Sequence, residues 1–193
     1  MSIRAILWDF GGTLADETWM FVPMDGDETW TELYREVLDT DDLVRRWEEG
    51  EATTADVVDA LATRSGMGRG AIMTHMHACC RNLRFHPKVM DLVARTALPQ
   101  ALVTVNPDIF TDVVAPHYEL ARRFDVIVTS WQEGLTNKSV LCEIARLWLD
   151  PSLTAAECLL IDNVGANIDA WRARGGQGLL FTGEDDLLEA WPL

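Results

Sequence analysis

The chain has 193 residues, with 16 basic and 31 acidic side chains, a formal net charge of −15, and 48% hydrophobic against 24% charged residues. That length buries one sizeable core with room for a modest insertion, and the composition is globular, not disordered. The acidic balance argues against nucleic acid and anionic membrane surfaces as partners, and no apolar run approaches the ~20 residues of a spanning helix.

The first predicted element is an apolar run at residues 5–8, read as a buried strand that ends in Asp9 and runs into the turn Gly11-Gly12-Thr13. From residue 16 to residue 85 the pattern is helical, with amphipathic segments at 29–38, 41–49, 54–64 and 69–82. Asp41 and either Thr53 or Thr54 are suitable N-caps there. From residue 87 helices and strands alternate: helix 87–96, strand 101–105, helix 107–123 kinked or split at Pro116, strand 126–129, helix 138–149, strand 158–161, helix 166–174 and strand 178–181. This alternation predicts a parallel, doubly wound α/β sheet with a helical insertion after the first strand. Four cysteines, two of them the adjacent Cys79 and Cys80, make no disulfide framework, and Cys142 and Cys158 read as core thiols. Asp9 also interrupts any signal-peptide pattern, so a cytoplasmic protein is expected.

Chemistry concentrates where the strands end. Asp9 ends the first, Thr104 the second and Asp162 the fourth, and Lys138 opens the helix after the third. In a parallel sheet these ends converge on one crevice. Asp9 and Asp162 could hold Mg²⁺, and Thr104 and Lys138 could bind phosphoryl oxygens. Asp9 could then attack phosphorus. Each residue also has a plain reading: Asp9 as a turn cap, Thr104 as an ordinary strand end, Lys138 as a surface lysine.

The segments DFGGTL (from Asp9), LVT (ending at Thr104), Lys138 and LLIDNVGANIDAWRARG (from Leu159) resemble, in order, the four motifs of the haloacid dehalogenase-like (HAD) hydrolase superfamily. The resemblance runs nearly end to end. It implies a Rossmann-like parallel sheet, residues 1–15 and 86–193, with residues 16–85 as a small inserted helical cap. EGEATTADVVDALATRSGM and FTGEDDL are similar to the branch of glucose-1-phosphate phosphatases and epoxide-hydrolase N-terminal phosphatase domains. The resemblance implies Asp9 as nucleophile and metal ligand. Gly11 would offer its backbone carbonyl to Mg²⁺, beside Asp162 and Asn163. Gly12, Thr104, Asn106 and Lys138 would bind a small phosphorylated metabolite.

The departures from the pattern are specific. Gly11 stands where most phosphatases of this superfamily carry Asp, which removes the leaving-group acid. A positioned acid is typically worth ~10²–10⁴-fold. Asn163 stands where a second Asp is frequent, Val105 replaces a polar neighbour of Thr104, and Lys138 lacks the usual following Pro. A metal-independent 2-haloacid dehalogenase-type hydrolase and a non-catalytic phospho-ligand or protein binder therefore stand as rivals. Trp19, in the linker after the first motif, is expected at the substrate mouth. His75 and Cys79 share a helix face, but His77 points elsewhere, and core packing outweighs a metal site there. Trp131, Trp148 and Trp171 are expected to pack around the sheet, and Trp47 within the cap.

Overall fold

A computed structural model describes residues 2–16, 22 and 29–191. Five parallel strands form one sheet in the order β3-β2-β1-β4-β5: β1 (Ala5–Trp8), β2 (Gln100–Thr104), β3 (Val126–Thr129), β4 (Cys158–Asp162) and β5 (Gln177–Leu180). β1, β2 and β4 are buried along their whole length, which is why β1 and the central residues of β2 and β4 read as apolar runs. Alternate residues of β1 serve two faces. Ala5 and Leu7 pack with Leu141 and Ala145 of α8 (Lys138–Leu149) and with Ile168 and Trp171 of α9 (Gly165–Ala173). Ile6 and Trp8 join a second cluster that runs on into the inserted helices through Trp30, Leu61 and Met76.

The insertion comprises α1 (Thr29–Leu38), α2 (Leu43–Glu48), α3 (Thr54–Ser65) and α4 (Arg69–Cys80). α3 opens with a capping box, in which Thr53 Oγ1 accepts from Asp56 N–H and the Asp56 side chain answers the Thr53 N–H. Asp41 is not a cap. A 3₁₀ turn over Thr40–Asp42 precedes α2, and Asp42, at φ 57°, gives its carboxylate to the Arg45 guanidinium. α5 (Pro87–Arg95) then returns the chain to β2.

The helix expected over 107–123, kinked or split at Pro116, is interrupted around that proline. A π-helical turn over Phe110–Val114 gives way to α6 (Ala115–His117), and the chain then reverses at Glu119, φ 51°. Pro116 has no N–H to bond back to Asp112, and its ring would crowd that carbonyl. The wider turn, closed by Ala115 N–H on Phe110 O, accommodates it. α7 (Ser130–Glu133) follows β3, and α10 (Glu184–Ala190) ends the described chain. Trp171 is fully buried as expected, whereas Trp148 is 56% exposed on α8 and does not pack around the sheet. The four cysteines are buried free thiols, and burial pushes Cys142 up to about 12 and Cys158 up to about 11. No described helix is long and apolar enough to cross a membrane.

Candidate active site

The sheet carries Asp9 to its position by an ordinary ladder bond: Asp9 N–H donates to Ile161 O (2.9 Å), one residue past the end of β1. The chain then turns back tightly. Phe10 O accepts from Leu14 (2.9 Å) and Ala15 (3.1 Å), and Gly12 sits at φ +69°, a conformation glycine takes without steric cost. Gly12 N–H donates to Ala15 O (2.7 Å). Its amide thus serves the turn, and the pocket is lined by Gly11 rather than Gly12.

Lys138 is the first residue of α8, behind an Asn137 cap whose side chain accepts from Val140 N–H (3.3 Å). A cation at the positive end of a helix is unfavourable, and a buried one more so. Lys138 is only 5% exposed, and its Nζ is held by an ion pair to Asp9, a hydrogen bond to Val103 O (2.6 Å) and Asp162 at 3.5 Å. Burial alone would push the Lys138 pKa down, but Asp9 and Asp162 outweigh it and hold it above the ordinary value. Asp9 moves in the same direction. Burial raises it against the pull of Lys138, and the charge of Asp162 adds to the rise. Two acids and one base sum to −1, so one ammonium cannot neutralise both carboxylates.

Asp162 is fully buried. Its oxygens accept from Val164 N–H (2.8 Å) and from Asn167 Nδ2 (3.1 and 3.0 Å), besides facing Lys138. It lies beneath the residues that line the pocket and braces Lys138 there. The pocket encloses about 240 Å³, and Asp9, Gly11, Thr104, Asn106, Lys138 and Asn163 line it. Asn106 Nδ2 donates to Thr104 Oγ1 (2.6 Å), which leaves the threonine proton free to be given to a ligand. Trp19 lies outside the described residues.

Several contributors carry little sequence signal. Thr13 is fully buried, its hydroxyl 3.2 Å from Asp9 Oδ2 and 3.4 Å from Asn163 Oδ1, and it accepts from Asn163 N–H (3.1 Å). Asn167 covers Asp162, and Ser130 Oγ accepts from Asn106 N–H (3.0 Å). Thr13 and Asn167 stand inside the two motifs that name their neighbours, but only the fold reveals what they touch. A larger hollow of about 720 Å³, lined by Leu43, Arg46, Asp56 and Asp59, holds none of the predicted site residues.

Oxygen donors of this kind suit a hard cation. Asp9, Asn163 and the backbone of Gly11 face the pocket, and the surplus negative charge beneath it would be relieved by a cation. One carboxylate with neutral oxygens is within what Mg²⁺ accepts when water and phosphate oxygens complete its shell, so these residues fit Mg²⁺ bound together with phosphate. Among the described residues no group of three His, Cys, Asp or Glu side chains is arranged to hold a metal. His75 Nε2 instead meets Val22 O (3.0 Å) and Cys79 Sγ (3.5 Å).

No protein-family model matches the chain, and no curated protein sequence matches it. Solved structures share its fold. A HAD family enzyme from Bacteroides thetaiotaomicron, solved as a magnesium complex, superimposes with a TM-score of 0.74 at 15% identity over 100% of both chains. The same enzyme is also solved with magnesium and inorganic phosphate. A predicted HAD-like family hydrolase from Porphyromonas gingivalis gives a TM-score of 0.72 at 17% identity, covering 98% of this chain and 96% of the other. The L-2-haloacid dehalogenase of Xanthobacter autotrophicus gives 0.68 at 16% identity, covering 97% and 81%. The chain therefore has the HAD-like α/β fold.

Proposed function

We propose that this chain is a Mg²⁺-dependent HAD-like hydrolase that cleaves phosphomonoesters of small metabolites through Asp9. The observation that carries this reading is the convergence of the Asp9 carboxylate, the Lys138 ammonium and the Thr104 hydroxyl on one small pocket at the C-terminal edge of a parallel sheet. A volume of about 240 Å³ suits a phosphoryl group with a small appendage, not a polymer. We further read residues 16–85 as a helical cap over a core of residues 1–15 and 86–193.

In this reading Asp9 attacks phosphorus, the bond to the leaving oxygen breaks, and that oxygen departs with the electron pair. Lys138 keeps Asp9 oriented and offsets charge on the phosphoryl group, while Thr104 and Asn106 donate to its oxygens. Water then attacks the acyl phosphate, releasing inorganic phosphate and freeing Asp9. Asp9, Asn163 and the Gly11 backbone would hold Mg²⁺, which when bound supplies positive charge against the phosphoryl oxygens. Gly11 supplies no proton to the leaving group, so substrates whose leaving oxygen is stable without one are favoured.

The test is phosphate release from p-nitrophenyl phosphate and a panel of sugar phosphates, by wild type and Asp9→Asn, with Mg²⁺ or EDTA. Mg²⁺-dependent turnover that falls to background in Asp9→Asn is expected. Turnover that survives either the substitution or the chelator overturns the reading. One observation favours a second reading: among the described residues lining the pocket, Asp9 is the only carboxylate, and a displacement at carbon needs no more. Release of chloride from 2-chloropropionate in EDTA would decide for it.

A further inference from the structure

The turn between α2 and α3 is fastened to the two loops that deliver the pocket. Asp108, two residues past Asn106, is 7% exposed. Its carboxylate accepts from Trp47 Nε1 (2.7 Å), Thr54 N–H (2.8 Å), the Thr54 hydroxyl and Ile109 N–H (2.9 Å). A buried carboxylate is costly unless its lone pairs are met, and here neutral donors meet them. Two of the three donor residues come from more than fifty residues upstream, in the inserted helices. The same turn also touches the loop after β3. Thr136 Oγ1 donates to Glu49 (2.9 Å). Gly50, at φ +73°, lies so close to Trp131 that a Cβ there would stand 2.8 Å from its carbonyl oxygen. Ser130 joins the two loops through Asn106 N–H (3.0 Å) and Asn106 O (3.3 Å).

We propose that Asp108 is a positioning residue for this site. Through Trp47 and Thr54 it ties the loop bearing Asn106 to the inserted helices, so that the hold of the pocket on an anion depends on how the α2–α3 turn is docked. The inference rests on the reading of that pocket as a phosphate site. Asp108 touches no substrate; it acts by fixing Asn106, and through Asn106 Nδ2 the direction of the Thr104 proton.

Trp47→Phe removes one donor and keeps an aromatic ring, Thr54→Val removes the hydroxyl at constant shape, and Thr54→Ser restores it. Each is assayed on p-nitrophenyl phosphate with Mg²⁺, with inorganic phosphate as inhibitor and with amide exchange followed over residues 104–110. Trp47→Phe and Thr54→Val should raise KM and the phosphate inhibition constant about tenfold, a loss of the size one such hydrogen bond carries. They should leave kcat within about twofold, speed exchange at 105–109 but not in β2, and Thr54→Ser should recover the wild-type values. A merely structural Asp108 would lower the melting temperature and leave KM and phosphate inhibition unchanged, which overturns the proposal. If the wild type turns over nothing, the phosphatase reading fails by itself. Exchange then decides the clamp: faster exchange at 105–109 supports it and unchanged exchange overturns it.

Discussion

Asp9 and Asp108 are hidden to nearly the same degree, 8% and 7% exposed, and their surroundings treat the negative charge in different ways. Asp108 is surrounded by neutral donors until its lone pairs are used. Asp9 has one strong cationic partner, a second carboxylate behind that partner, and open volume in front. The first arrangement is saturated and holds two parts of the chain together. The second is left with surplus charge and space, so it can be completed by a cation and a phosphoryl group. Burial by itself therefore says little about role, and the kind of partner says more.

Removing the ammonium is the most severe test of this contrast. Lys138→Met leaves Asp9 and Asp162 buried at the sheet edge without their cation. Stripping one partner from a buried ion pair costs about 3–5 kcal/mol. The loss should be greatest at pH 8 and should shrink at pH 5, because Asp9 is already raised and loses the partner that held it down. Urea midpoints at the two pH values check this, and equal losses at both would mean that the lysine acts by packing. Turnover should vanish at either pH.

Thr104→Val should do less. Valine preserves the volume of a 1% exposed side chain but deletes the acceptor for Asn106 Nδ2 and the proton offered to a ligand. Phosphate inhibition should weaken about tenfold, with a stability loss of about 1–2 kcal/mol for the amide left unpaired. A full loss of stability with unchanged inhibition would move Thr104 from the reactive centre to the structural one.

The two centres also differ in how far the sequence betrays them. β1, β3 and α8 have the bounds that their apolar runs and flanking residues predict, because local pattern and burial agree there. That Asp9, Thr104 and Lys138 meet at one pocket is legible because each sits at the end of a recognisable element. The burial of Asp162 and the turn hydrogen bond of Gly12 are not legible, since both are tertiary facts. Asp108 carries no periodic or motif signal, and Trp47 and Thr54 reach it across more than fifty residues. Pro116 marks a break in the sequence, but a proline does not reveal that the relief comes as a wider turn before it.

Glu48 is a third case that sharpens the contrast. It is half-buried at the end of α2, and among the described residues neither a cation nor a hydrogen-bond donor is set against its carboxylate. Burial, with the charge of Glu49 added, raises its pKa from 4.5 to about 7. The fold therefore favours the protonated form, and between those values it binds a proton that the unfolded chain does not. That contribution is fully present below pH 4.5 and lost as pH rises through 7. Glu48→Gln keeps the shape and removes the titration. It should match the wild type near pH 4.5 and exceed it at pH 8 by about 1–2 kcal/mol, allowing for partial exposure. For a chain of this size that is about 2–8 °C in melting temperature. A gain of the same size at both pH values would show that the amide adds a hydrogen bond of its own, and Glu48 would then belong with the saturated kind.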